Sequence, residues 1–174
     1  NGTYTFDIVT PKTRIEACTL GVPGWINVEN AIAAVALALT VTDDSEALKR
    51  ALASFGGVKR RFDFYINTPT LTFLDDYAHH PEELRASISS VKAMFPNRKV
   101  CGIFQPHLYT RTRDFAEGFA QSLSLLDEVI LLDIYPAREL PIEGVTSQII
   151  FDKITTPNKV LITKSELLDV LSKR

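Results

Sequence analysis

The chain has 174 residues, 45% hydrophobic and 23% charged, with a formal net charge of -2. That supplies enough apolar material for a buried core in one domain or two small ones. The near-balanced charge without a basic tract argues against nucleic acid and anionic membrane surfaces as partners, and the longest apolar run, Ala31–Leu39, is too short to span a bilayer.

Tyr4–Val9 alternates with the period of a strand, and Arg14–Leu20 repeats the pattern after a turn at Pro11-Lys12. Gly21-Val22-Pro23-Gly24 breaks the chain; a helix is predicted from about Val28 to Thr40, with Asn27 as its cap. Thr42-Asp43-Asp44-Ser45 opens a second helix that runs to about Ser54, and Gly56-Gly57 stops it. From Phe62 onward strands and helices alternate. Leu71–Leu74 is an apolar strand ending at Asp75-Asp76, followed by a helix from Pro81 to about Phe95 with Glu82 and Glu83 at its positive end. Lys99–Phe104, Val129–Leu132 and Val160–Ile162 are further strands. Helices are predicted over about Asp114–Leu125, Thr146–Ile154 and from Lys164. Such alternation predicts an α/β fold: a Rossmann-like, mostly parallel sheet with helices on both faces, after a strand-and-helix section. A boundary is placed near Arg60, dividing 1–60 from 61–174.

Cys18 and Cys101 are far apart and lack CxxC spacing, which predicts two buried thiols in a reducing compartment rather than a disulfide or zinc site. No secretory or lipidation pattern is visible, so a cytoplasmic location is expected. The absence of an initiator Met suggests a piece of something larger.

Three strand ends carry chemistry. Phe104-Gln105-Pro106-His107-Leu108-Tyr109-Thr110-Arg111-Thr112-Arg113 combines guanidinium, imidazole and hydroxyl groups suited to a carboxylate or phosphate. Alone, this stretch reads equally well as a polar loop with ordinary surface arginines. Asp75-Asp76-Tyr77-Ala78-His79-His80-Pro81 adds acids and imidazoles. Metal ligation is one reading of it, but adjacent residues seldom aim at one ion and the HExxH spacing is absent. Hydrogen bonding to a ribose and a carboxylate demands less, and one of the acids could simply cap the Pro81 helix. Asp133-Ile134-Tyr135-Pro136-Ala137-Arg138-Glu139 is the third set, and convergence of the three on one sheet edge would make a binding crevice. No G-x-G-x-x-G, phosphate-loop or G-x-S-x-G motif is found, which leaves a dinucleotide oxidoreductase as the weakest choice.

Those strings, with Gly24–Ala34 and Gly57–Phe62, resemble the Mur ligases along essentially the whole chain, and within them the branch that adds L-alanine to UDP-N-acetylmuramate. The resemblance implies an ATP- and magnesium-dependent ligase of peptidoglycan precursor synthesis, working through an acyl phosphate that the amine of alanine displaces. It implies that 1–60 is the C-terminal portion of the central ATPase domain and 61–174 the C-terminal Rossmann-like domain. The N-terminal domain, the phosphate loop and the magnesium ligands would lie in the rest of the parent, so no metal ligand is assigned here and the piece alone is expected to be inactive. By the same resemblance Asn27, Asn30, Arg61 and Asp76 face ATP. Tyr77, His79, His107 and Arg111 face the substrate carboxylate and the incoming alanine, with Arg111, His107 and His79 as the catalytic set. Ile26 stands where the family usually has His, and Leu108 where relatives commonly have Arg. Two rivals remain: the murein-recycling ligase that attaches a tripeptide, and a non-catalytic module that binds a nucleotide or peptide.

Overall fold

The apolar alternation at the start of the chain builds a hairpin in the computed structural model, which describes residues 3–173. Strands β1 (Thr5–Val9) and β2 (Arg14–Thr19) pair antiparallel. The Thr10 hydroxyl accepts the backbone N–H groups of Lys12 and Thr13 in the turn. The ladder is irregular between Phe6 and Ile8, where Asp7 takes the Ala17 N–H at 2.9 Å and the Arg14 guanidinium at 2.6 Å. Helices α1 (Trp25–Ala38) and α2 (Ser45–Ser54) follow, and Asp44 caps α2 by accepting from the Ala47 N–H. Ile8, Ile15, Cys18, Leu20, Val28, Ala31, Val35 and Leu52 form the shared core of these four elements.

The expected cap of α1 is corrected. The helix begins at Trp25, after Gly24 at φ 95°, a conformation glycine adopts without strain. Asn27 therefore lies inside the first turn, and its amide donates back to the Pro23 carbonyl at 2.6 Å. A second correction concerns Leu71–Leu74. The strand exists as β4 (Thr72–Asp75), but it pairs antiparallel with β3 (Asp63–Asn67), a strand the sequence pattern did not reveal. The Thr68 hydroxyl closes that hairpin against Leu71. By compactness the chain divides into Asn1–Tyr77, holding these elements, and Ala78–Arg174.

The second unit is α/β. Helix α3 (Pro81–Met94) leads to β5 (Cys101–Phe104), α4 (Tyr109–Leu123), β6 (Glu128–Leu132), α5 (Gln148–Phe151) and β7 (Lys159–Ile162), then a 3-10 turn at Lys164–Glu166 and α6 (Leu167–Ser172). The strands form a parallel sheet in the order β5-β6-β7. Val129, Ile130 and Leu131 of β6 are all 0% exposed, so both faces of the central strand are covered, as a parallel sheet requires. Phe104, Phe119, Leu123, Leu131 and Ile150 lie in one core, each such side chain contributing about 1.5–3 kcal/mol by burial. The predicted Rossmann-like α/β class is borne out.

Three local expectations change here. Helix α4 starts at Tyr109 rather than near Asp114, and a non-helical residue, Phe115, breaks it into two segments. The helix expected over 146–154 is only the short α5, and Ser147 at its N-cap position is buried and donates its hydroxyl to the Leu132 carbonyl instead of capping. Cys18 is buried as expected, but Cys101 is exposed, since its position on β5 faces away from the core. Among the described residues no helix is long and apolar enough to cross a membrane.

Candidate functional site

In the first unit the segment 60–62 is strained: Arg60 and Phe62 have φ of 59° and 53°, a left-handed region that side chains other than glycine adopt at a cost of about 1–3 kcal/mol each. Arg61 sits between them, so its direction is set by backbone that the surroundings hold in place. The Arg60 N–H donates to Asp63, and the Arg60 guanidinium donates to Asp75 at 3.1 Å. The Arg60 carbonyl accepts the Tyr77 N–H at 2.7 Å, and Asp76 accepts the Phe62 N–H at 3.3 Å. Both guanidiniums lie over the Tyr77 ring, Arg60 at 4.9 Å and Arg61 at 5.8 Å from its centroid, within cation–π range. The buried Phe62 ring packs beside Gly24 where Asn27 enters α1. Asn27, Arg61, Asp76 and Tyr77 are thus joined through Phe62 and Arg60, and exposed Asn30 stands one turn along α1 from Asn27. Asp75 serves as a structural counter-ion here.

In the second unit the other predicted residues meet. His80, not an acid, caps α3: its Nδ1 accepts the Glu82 N–H at 3.4 Å, and its ring meets Phe115 edge-on at 4.8 Å. His79 is fixed by Glu83, which accepts its backbone N–H at 3.0 Å and lies 3.2 Å from its Nδ1. Two of the three polar strand ends zip together. Gln105 donates to the Asp133 carbonyl, the Tyr135 N–H to the Pro106 carbonyl, and the Leu108 N–H to the Tyr135 carbonyl. His107 and Tyr135 form a parallel bridge and stack with ring centroids 5.5 Å apart.

His107 precedes the N-cap of α4 and Arg111 lies in its first turn, and Arg111 Nη1 comes to 3.4 Å from His107 Nδ1. A guanidinium only donates, so this contact requires an unprotonated Nδ1 and leaves the proton on Nε2. Burial pushes the His107 pKa below the usual histidine value, with the Arg111 and His79 charges adding to the effect. The pair therefore offers a neutral imidazole N–H donor beside a fixed cation. No carboxylate lies within ion-pair distance of Arg111 among the described residues, so its charge is open to an anionic ligand. Also among those residues, no group of three or more His, Cys, Asp or Glu could hold a metal ion.

Tyr135, Glu139 and Glu83 are contributors that the sequence reading left unassigned. For Tyr135 and Glu139 the only signal was the polar strand end at 133–139. Glu83 reads from sequence as a helix-dipole residue and nothing more.

A parallel α/β unit with His107 and Arg111 at the carboxyl end of a strand has the architecture of a Rossmann-like domain. Residues 60–172 match the family model described as Mur ligase, glutamate ligase domain. The chain belongs to the Mur ligase family. It is 60% identical over 172 residues to UDP-N-acetylmuramate–L-alanine ligase of Parabacteroides distasonis, covering 99% of this chain and 37% of that protein. Among solved structures it is similar to UDP-N-acetylmuramate-alanine ligase of Thermotoga maritima, with TM-score 0.70 and 32% identity over 91% of this chain and 33% of that one. A murein peptide ligase of Psychrobacter arcticus shares the fold, with TM-score 0.62 and 20% identity over 92% of this chain and 32% of that one. The chain spans a little over a third of the length of the curated relatives it matches.

Proposed function

We propose that this chain is the closing part of an ATP-dependent ligase that joins L-alanine to the carboxylate of UDP-N-acetylmuramate through an acyl phosphate, in cytoplasmic peptidoglycan precursor synthesis. In this reading 1–60 completes the central ATP-binding domain and 61–174 is the C-terminal domain. Asn27, Asn30, Arg61 and Asp76 serve the nucleotide, and Tyr77, His79, His107 and Arg111 serve the carboxylate and the amine. Magnesium is assigned to residues of the parent outside this chain.

The observation that carries the proposal is the neutral His107 held against a cation with no carboxylate partner. A carboxylate that is activated and then attacked by an amine gathers negative charge on oxygen, so catalysis needs donors placed in advance where that charge builds. Arg111 supplies a fixed positive charge and His107 Nε2 a neutral donor. Because Nδ1 is engaged by Arg111, His107 is a donor in this arrangement rather than the base for the amine. His79, turned by Glu83, is the group left to accept or relay a proton. Alignment of the reactants supplies the rest.

The test uses the full-length parent. Arg111→Ala should depress alanine-dependent phosphate release and raise the KM of the carboxylate or amine substrate. Unchanged turnover with unchanged KM values would refute the assignment. Assay with L-alanine against a tripeptide separates this reading from the recycling ligase. The isolated chain should turn nothing over, and tight magnesium-ATP binding to it in calorimetry would contradict the proposed division between domains.

A further inference from the structure

We propose that Glu139 is a positioning residue for the ligase reaction: by capping α4 from the neighbouring strand end, it fixes the direction of Arg111 and His107 while its carboxylate stays out of ion-pair contact with Arg111. The inference rests on the reading of those two side chains given under Proposed function.

Helix α4 has no cap of its own. Leu108 occupies the N-cap position at φ 75°, and its side chain has no oxygen to satisfy the first N–H groups. Glu139 does so from a distance in sequence: one carboxylate oxygen accepts the Thr110 N–H at 3.0 Å and the other accepts the Thr110 hydroxyl. These bonds hold the Glu139 pKa below the usual glutamate range, with the Thr110 hydroxyl contributing most, so the clip stays ionised at neutral pH. An anion at a helix N-terminus is also favoured by the helix dipole.

Of the links that zip 104–113 to 133–139, this is the charged one; the others, Gln105 to Asp133 and the backbone bonds of Pro106, Leu108 and Tyr135, are neutral. It acts on the residue immediately before Arg111. It also lies close enough for its charge to be felt by both Arg111 and His107. Directed at Thr110, Glu139 makes no ion pair with the Arg111 guanidinium among the described residues. A carboxylate that did so would occupy the place of an anionic ligand. Helix capping and availability of the cation are therefore one arrangement.

The test is made on the full-length parent enzyme with Glu139→Ala, Glu139→Gln and Thr110→Val, and with Arg111→Ala run in parallel. Glu139→Ala should raise the KM of UDP-N-acetylmuramate or L-alanine at least about tenfold, given how steeply rates fall when reacting groups are misplaced. The KM of ATP should stay within about twofold, since that substrate is assigned to other residues. Glu139→Gln keeps an oxygen for the Thr110 N–H and should lie nearer wild type. Thr110→Val, which keeps the glutamate, should give the same split and serves if Glu139→Ala does not fold. Wild-type kinetics in the Glu139 and Thr110 variants, or an equal rise in all three KM values, overturns the proposal. If Arg111→Ala is impaired while the Glu139 variants are not, only the positioning role fails. A silent Arg111→Ala removes the underlying reading and this one with it.

Discussion

Gly118→Ala provides a sharp test of how packing places the site. Gly118 lies in α4 where the helix crosses the start of α3; a Cβ there would stand 2.9 Å from Pro81 Cγ and 3.0 Å from Pro81 Cβ. Carbon contacts settle at about 3.5–4.0 Å, so the two helices must part by roughly 0.5–1 Å. Pro81 cannot yield by rotating a side chain, because its ring is locked to the backbone of the first turn of α3. Ser122 resists the movement too, donating its buried hydroxyl to the Pro81 carbonyl at 2.9 Å. Overpacking of this kind costs about 1–3 kcal/mol, while replacing a helical glycine with alanine returns about 1 kcal/mol of propensity. The net expectation is a destabilisation of about 0–2 kcal/mol, small enough for the protein to remain folded. Function should suffer more. His79 directly precedes the cap of α3, and Arg111 is carried by α4, so parting the helices moves one against the other. A misplacement of about 1 Å can cost about 100-fold, so kcat/KM for the carboxylate substrate should fall roughly 10- to 100-fold in the full-length enzyme. Urea unfolding followed by steady-state phosphate release measures both effects. Stabilisation by the full propensity gain with wild-type kinetics would refute the close approach as a requirement. Destabilisation with wild-type kinetics would refute the part played by His79.

Two pH-linked predictions follow from named groups. Asp127 accepts the Val100 N–H at 2.8 Å and pairs with Lys92, which together hold its pKa below 3.8. Its stabilisation is therefore present above the unfolded value and lost as pH falls through the lower folded value. Asp127→Asn should cost about 1 kcal/mol at pH 7, after discounting for solvent exposure, and the difference from wild type should shrink in acid unfolding curves. His107 has a folded pKa below 6.5, so its contribution is present above that value and declines as pH drops from there through the folded pKa. The His107 ring, followed by NMR, should accordingly titrate below the ordinary histidine range, and Arg111→Ala should move its titration upward by removing a neighbouring positive charge.

What could be read in advance, and what could not, follows the range of the forces involved. Val129–Leu132 was legible because a strand buried on both faces must be apolar throughout. Pro81, Glu82 and Glu83 marked the start of α3 through fixed φ and helix electrostatics, both local effects. The strand at Leu71–Leu74 was visible, but its partner was not. Asp63–Asn67 begins and ends on polar residues, and its ladder with Thr72–Asp75 has an irregular register. Asn27 lies inside the first turn rather than at the cap because Gly24, with its left-handed φ, allows α1 to begin earlier than the apolar pattern suggests. Residue roles at His107 and Arg111 are implied by family resemblance, and helical spacing does not anticipate their contact, because His107 lies outside α4, before Leu108 with its φ of 75°.

Tyr135 and Glu139 escaped for a reason that the sheet itself makes clear. The parallel ladder pairs Phe104 with Leu131. Extended in step past the strand ends, that register would set His107 beside Ile134, which is buried and has nothing polar to offer. The bridge instead joins His107 to Tyr135, one residue further along. This slip brings the stacking aromatic ring to His107, and it brings the 133–139 loop round so that Glu139 reaches Thr110. Nothing in either loop's own sequence encodes the offset. It is held by two backbone bonds between the loops: the Pro106 carbonyl accepts from the Tyr135 N–H, and the Leu108 N–H donates to the Tyr135 carbonyl. The side chains that carry charge could therefore be found by their chemistry alone. Those that aim them became visible only once two distant strand ends were known to be out of step by one residue.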